Sequence, residues 1–372
     1  ALICTSGTAA ANLYPAVIEA NLSQLPLLLL TADRPPELRD CRAGQAIDQT
    51  KLYGAHVRHF QEIGLPEFNL PHLAYLRQTL VHAVSTAAAS PAPGPVHLNF
   101  PFREPFFSVG DGPPPLPEGF DAATFFQQVR PPIPTRATLA ETPADLLAGH
   151  VRFLITAGER APAEEAARLA DALGAPLLAD PCSPLRETPC PHRILRYEHL
   201  LREETFRSAH RPDAVLSLGP LPACKTLRAW LEESDVPTYL LHPRGQNPDP
   251  LHRRALSLPC DAAHLADSLS AIDADPAWLA AWTKAEARVE ARLDHAFANL
   301  ADPFEGSVAR ILSEALPAAC DLFVANSMPI RDVEWFWKPG SGECRLHANR
   351  GANGIDGTLS TALGIAHASS GP

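Results

Sequence analysis

The chain has 372 residues, is 46% hydrophobic and carries a formal charge of -11, which is enough apolar material for two or three cores of ordinary size. An acidic balance argues against a general nucleic-acid or anionic-membrane surface, so any anionic ligand must be held by local arginines. The longest apolar run, VIEANLSQLPLLLLTA, is interrupted by Glu19, Asn21 and Gln24, and stable membrane insertion is not expected.

In chain order, the first part alternates apolar strands with helices. ALICTS, LPLLLLTAD and GPVHLNFP read as strands, with a helix from about Ala9 to Ala20 and another through LRQTLVHAVSTAAAS. Continuous apolar strands separated by helices predict a parallel sheet covered on both faces. GDGPPPLPEG, VRPPIPT and ETPADL then replace periodic structure with stiff proline-rich chain, a linker. The second part repeats the pattern: VRFLITAG, the helix APAEEAARLADALG, APLLADP, DAVLSLG, the helix CKTLRAWLEES and PTYLLHP. Strand, helix and strand in this order predict a second open parallel sheet. The charged helical stretch AWTKAEARVEARLDHAFANL precedes a third part, with the helix SVARILSEAL, the strand CDLFVANS and a glycine-rich turn. The predicted division is residues 1–107, a linker at 108–149, a central Rossmann-like domain at 150–285, and 286–372. Both ends break off within such units, and the chain is expected to be a fragment.

The common nucleotide and hydrolase signatures are absent from the sequence. The eight cysteines lack a C-x-x-C pair; Cys182 and Cys190 can pair, but the spacing favours reduced thiols in a cytoplasmic protein. His56 and His59 in HVRHF can share a helical face, though without a third metal ligand nearby. Four stretches can carry chemistry. In TSGTAAAN, Ser6, Gly7 and Thr8 let backbone approach a ligand ahead of a helix, or simply make a strand-to-helix turn. TADRPPELRDCRAGQAIDQ places Arg34, Arg39, Arg42 and Gln45 in a loop after a strand, either at a ligand or in solvent. In VANSMPIRDVEWF, Asn326 or Ser327 can cap the next helix, with Arg331 one turn on. ANRGANGIDGTLS sets Arg350 among Gly351, Gly354 and Gly357, which suits a carboxylate or phosphate or a tight turn under a packed helix.

Together, ICTSGTAAANLYPAVIEA, LTADRPPELRDC followed by GQAIDQ, VHLNFPFREP and ANRGANGIDGTLSTALGIA resemble the 2-succinyl-5-enolpyruvyl-6-hydroxy-3-cyclohexene-1-carboxylate synthases, thiamine-diphosphate-dependent transferases of menaquinone biosynthesis. The resemblance covers the whole chain. It implies an α/β fold of three domains built on open parallel sheets flanked by helices, the first incomplete here and the third only begun. It implies decarboxylation of 2-oxoglutarate and addition of the succinyl carbanion equivalent to isochorismate.

By the same resemblance, Gln45, Arg331 and Arg350 would be catalytic. Arg331 and Arg350, with Ser327, would hold the carboxylates derived from 2-oxoglutarate, while Arg34, Gln45 and Lys225 would face isochorismate. Thiamine diphosphate would lie against Ser6, Gly7, Thr8, Asn326, Ser327, Gly351, Gly354, Ile355 and Asp356. Where some relatives carry Lys-Arg, this sequence has Lys225-Thr226, which leaves a second basic contact there open. The glutamate that activates the cofactor and the ligands of Mg2+ (or Mn2+) would lie outside Ala1–Pro372, so this chain alone is expected to be inactive. A homodimer or dimer of dimers follows from the resemblance. The alternatives are another thiamine-diphosphate 2-oxoacid enzyme and a non-catalytic module of the same fold.

Overall fold

The apolar runs of the first third become one parallel sheet in the computed structural model, which describes residues 1–89, 92–104, 116–127, 129, 147–242, 249–252, 254–258, 260, 262–269, 274–338, 340 and 344–371. Its strands are β1 (Leu2–Cys4), β2 (Leu27–Asp33), β3 (His59–Glu62) and β4 (Pro95–Pro101), in the order β1-β2-β4-β3. β2 and β4 run in register from Leu27 opposite Pro95 to Asp33 opposite Pro101. Their side chains feed two cores: Leu29 packs with Val17 and Tyr53, and Val96 and Leu98 pack with Ile63, Ala83 and Ala87. Each fully buried Leu or Val stabilises by roughly 1.5–3 kcal/mol, which explains why β2 and β4 read as unbroken apolar runs.

Two expectations for this region need correction. The helix foreseen from Ala9 to Ala20 is split into Thr8–Ala11 and Tyr14–Leu22, because Pro15 lacks an N–H and fits only the first turn of a helix. His56 and His59 do not share a helical face: His56 closes a 3-10 turn, and His59 opens β3 opposite Val96.

The second sheet comprises β5 (Phe153–Ala157), β6 (Leu177–Ala179), β7 (Arg193–Ile194), β8 (Ala214–Leu218), β9 (Thr238–Leu241) and β10 (Ala255–Leu258). It is parallel throughout, in the order β10-β9-β8-β5-β6-β7. The chain therefore reverses direction between β5 and β8, the point where such sheets usually open a ligand crevice. Here a Cβ on Gly158 would lie 2.2 Å from the Pro220 carbonyl oxygen, so backbone fills that position. The long helix Pro276–Ala298 starts at an Asp275 cap and sets Trp278 and Trp282 against Trp230 in the sheet's second core. A short pair, β11 (Asp321–Phe323) and β12 (Arg345–His347), follows, with helices Glu305–Ala315, Met328–Phe336 and Thr358–Ala368. All eight cysteines are free thiols.

The chain forms two compact units, Ala1–Thr135 with Arg350–Gly357, and Arg136–Asn349 with Thr358–Pro372. Most of the proline-rich linker expected at 108–149 lies outside the described residues. Among the described residues, no helix is long and apolar enough to cross a membrane.

Candidate cofactor and substrate site

In the first unit, the sequence-predicted residues of the opening stretch meet at the carboxyl ends of β1 and β2. Gly7 holds φ +87° and ψ -143°, a conformation open essentially to glycine alone. A Cβ there would also come within 3.2 Å of the Gln45 carbonyl oxygen. The backbone of Gln45, itself at φ +56°, thus lies directly on the turn. The Arg34 guanidinium reaches the same loop, donating from Nε to the Gly44 carbonyl at 3.0 Å and from Nη2 to Gln45 Oε1 at 3.4 Å. Ser6, Gly7, Arg34 and Gln45 are therefore brought together, with Thr8 exposed beside them. The helix after Gly7 has only four residues, and the Gly7 N–H is already taken by the Gln49 side chain at 2.7 Å. The Gly7 N–H itself is therefore occupied within the protein.

Below this turn lies a buried polar layer that the sequence reading missed. Thr31 Oγ1 donates to Asn99 Oδ1 (2.8 Å), Gln49 Nε2 donates to the same oxygen (2.9 Å), and Asn99 Nδ2 donates to Asp33 Oδ2 (2.7 Å). Asp33 also accepts from the Arg34 backbone N–H at 2.7 Å and pairs with Arg39 at 3.0 Å. His97 contacts Thr31 Oγ1 at 2.7 Å through Nε2. Because the Thr31 proton goes to Asn99, His97 must be the donor, which fixes its tautomer. Burial holds that imidazole neutral by lowering its pKa to about 4.

The glycine-rich stretch divides by role. Gly351 packs on the last turn of helix Tyr14–Leu22, where a Cβ would meet Ser23 Oγ at 2.6 Å and the Glu19 carbonyl oxygen at 2.9 Å. The N–H groups of Gly351 and Ala352 donate to the Glu19 carboxylate at 2.8 and 2.9 Å. Gly357 needs its positive φ of +72°, whereas a Cβ on Gly354 would meet no atom within 4 Å. Arg350 and Gly354 are partly buried, and Ile355 and Asp356 are exposed.

In the second unit, Asn326 is buried and donates to the Asn349 carbonyl at 2.8 Å. Ser327 occupies the cap position of helix Met328–Phe336, yet its hydroxyl makes no capping bond, and its backbone sits at φ +76°, ψ -126°. This is nearly the conformation that Gly7 adopts. Arg331 follows one helical turn later, exposed, with Nη1 3.6 Å from Met328 Sδ. Lys225 begins helix Lys225–Ser234, also exposed. Its neighbour Thr226 does not point a hydroxyl outward: it donates to Glu198 at 2.8 Å.

At the other end of helix Met328–Phe336, three buried arginines cover the terminal carbonyls. Arg186 Nη2 donates to Val333 and Glu334, Arg196 to Trp335 and Trp337, and Arg310 to Phe336. Glu290 pairs with both Arg196 and Arg310. Cations at a helix C-terminus oppose its dipole favourably, so the helix bearing Ser327 and Arg331 is anchored from behind.

The hydroxyl, guanidinium and carboxamide groups in these stretches suit carboxylate and phosphate oxygens. Residues 146–324 match a protein-family model described as "Middle domain of thiamine pyrophosphate". Over 99% of its length the chain is 43% identical to a 2-succinyl-5-enolpyruvyl-6-hydroxy-3-cyclohexene-1-carboxylate synthase of Nostoc sp.. The figures are 47% for the synthase of that name from Thermosynechococcus vestitus and 44% for that from Synechococcus elongatus, each again over 99% of the chain. The chain is similar along nearly its whole length to synthases of this name. It spans 63–65% of the length of these three relatives. The α/β architecture of parallel sheets flanked by helices is consistent with a thiamine-diphosphate-binding domain architecture.

Proposed function

We propose that the protein carrying this chain is a thiamine-diphosphate-dependent transferase of menaquinone biosynthesis that decarboxylates 2-oxoglutarate and adds the succinyl carbanion equivalent to isochorismate. The observation that carries the reading is similarity along nearly the whole chain to synthases of that name. The residue chemistry supports it. Both substrates are dianions, and the two units present Arg34, Lys225, Arg331 and Arg350 in the matching stretches.

In this reading Arg331, Arg350 and Ser327 bind the carboxylates derived from 2-oxoglutarate, and Arg34, Gln45 and Lys225 bind isochorismate. The turn at Ser6, Gly7 and Thr8, together with Asn326, Ser327, Gly351, Gly354, Ile355 and Asp356, holds the cofactor. Thiamine diphosphate supplies the carbanion stabilisation; the chain supplies orientation and countercharge. Mg2+ or Mn2+ accompanies the cofactor, and no described residue is assigned to it. A cytoplasmic homodimer or dimer of dimers completes the proposal.

The test is turnover by the full gene product, followed as CO2 release and isochorismate consumption with added thiamine diphosphate and Mg2+. Turnover of 2-oxoglutarate with isochorismate is expected; turnover of pyruvate instead would replace this reading with another 2-oxoacid reaction. Arg350→Ala removes a charged contact worth roughly 2–4 kcal/mol. It should raise KM for 2-oxoglutarate by about 30-fold or more and leave that for isochorismate nearly unchanged. Equal, small effects on both would remove Arg350 from the site.

A further inference from the structure

Gln49 lies four residues beyond Gln45 and is 1% exposed. Its carboxamide is fully committed: Oε1 accepts from the Gly7 N–H at 2.7 Å, and Nε2 donates to the Ala32 carbonyl and to Asn99 Oδ1, both at 2.9 Å. An amide has one such arrangement here, because turning it over would set a donor against a donor and oxygens against oxygens. The segment from Gln45 to Gln49 thus straddles the Gly7 turn, with the Gln45 backbone against the Cα and the Gln49 side chain on the N–H. Through Asn99 and Asp33, the same hydrogen-bonded layer ends on the backbone N–H of Arg34.

We infer that Gln49 is a positioning residue, which sets the Gly7 turn and the loop bearing Arg34 and Gln45 in one fixed relation. The inference rests on the reading that the turn holds cofactor and the loop holds isochorismate. Gln49 itself, buried beneath the turn, does its work through the neighbours it holds. The chemistry of the layer favours this over simple burial of a polar side chain. All three of its bonds end on the turn or on the ends of β2 and β4, and none ends elsewhere in the core.

Gln49→Glu tests it. An ionised glutamate still accepts from Gly7 but presents oxygen to both Ala32 O and Asn99 Oδ1, and a protonated one restores a single donor. Gln49→Met has similar length and cannot be rescued by acid. In the full gene product at pH 8, both variants should raise KM for isochorismate about tenfold or more while KM for 2-oxoglutarate stays within about twofold. In the glutamate variant alone the defect should shrink toward pH 5.5. Hydrogen exchange in the substrate-free protein gives a second readout: protection should fall about tenfold across residues 5–13 and 34–48 together, with 27–31 and 95–99 unchanged. Parallel changes in both KM values, or loss of protection spread over the whole sheet, would show a purely structural role and overturn the proposal. If the wild type turns over neither substrate, the proposed reaction fails, and the exchange pattern alone decides whether Gln49 couples the two segments.

Discussion

Ser327 adopts φ +76°, ψ -126°, a shape that costs a residue with a Cβ about 1–3 kcal/mol and is carried at the equivalent turn by Gly7. A serine is worth that strain if its hydroxyl has a ligand, and the absence of a capping bond leaves the hydroxyl available for one. Ser327→Gly should therefore raise the protein's stability, by about 1 kcal/mol after the extra entropy of an unfolded glycine is deducted, while raising KM for 2-oxoglutarate. Ser327→Ala should raise KM similarly with no gain in stability; thermal melts and kinetics on the pair separate strain from contact. A melt that moves equally in both variants would show that the backbone is not strained. At this scale the sequence singled out Gly7, Arg34 and Gln45, and the fold brings them together. The sequence was silent about Gln49, Asn99 and Asp33, because a buried polar layer is created by bringing β1, β2 and β4 side by side, and no spacing along the chain encodes it.

Helix Met328–Phe336 shows how an element can be tuned from its unexposed end. Glu334 accepts from Tyr197 Oη at 2.5 Å, and burial raises its pKa from 4.5 to about 7, with the Tyr197 hydrogen bond opposing and Asp180 reinforcing the shift. Below about pH 4.5 the carboxyl is protonated both folded and unfolded. Between 4.5 and 7 the unfolded chain releases the proton and the folded chain keeps it, so the group makes stability fall as pH rises, and above 7 the penalty is constant. Glu334→Gln keeps an acceptor for Tyr197 and should remove this slope, stabilising the protein above pH 7 by up to about 3 kcal/mol. Melting curves of variant minus wild type from pH 4 to 9 test the sign; a difference that shrinks as pH rises would refute it. The apolar strands and amphipathic helices were legible because their periodicity reports burial directly. β3 was not, since HFQE lacks an apolar run and forms only because the edge of β4 is there to pair with it. Nor could spacing reveal Arg186, Arg196 and Arg310, which lie far along the chain from most of the carbonyls they cover.

The first unit is discontinuous: residues Arg350–Gly357 join Ala1–Thr135 across the whole of the intervening sequence. Gly351→Ala would put a Cβ 2.6 Å from Ser23 Oγ and 2.9 Å from the Glu19 carbonyl oxygen, overpacking that costs about 1–3 kcal/mol. Hydrogen exchange should show the loss in peptides covering residues 14–25 and 350–357, with the sheet from 153 to 218 keeping its protection; uniform loss would mean that the contact does not belong to the first unit alone. That the strands form parallel sheets followed from the alternation of strands and helices, but this return of the chain did not, because a glycine-rich turn carries no mark of which helix will receive it. The same contact governs the order of events during synthesis. The Glu19 carboxylate leaves the ribosome 332 residues ahead of the Gly351 N–H that it accepts from. At roughly 5–20 residues per second that is a wait of about 17–66 s. Through that interval the last turn of helix Tyr14–Leu22 has a carboxylate with no backbone donors to hold, so the nascent first unit must persist unfinished, and a chaperone that shields it would act before the second unit has been fully made.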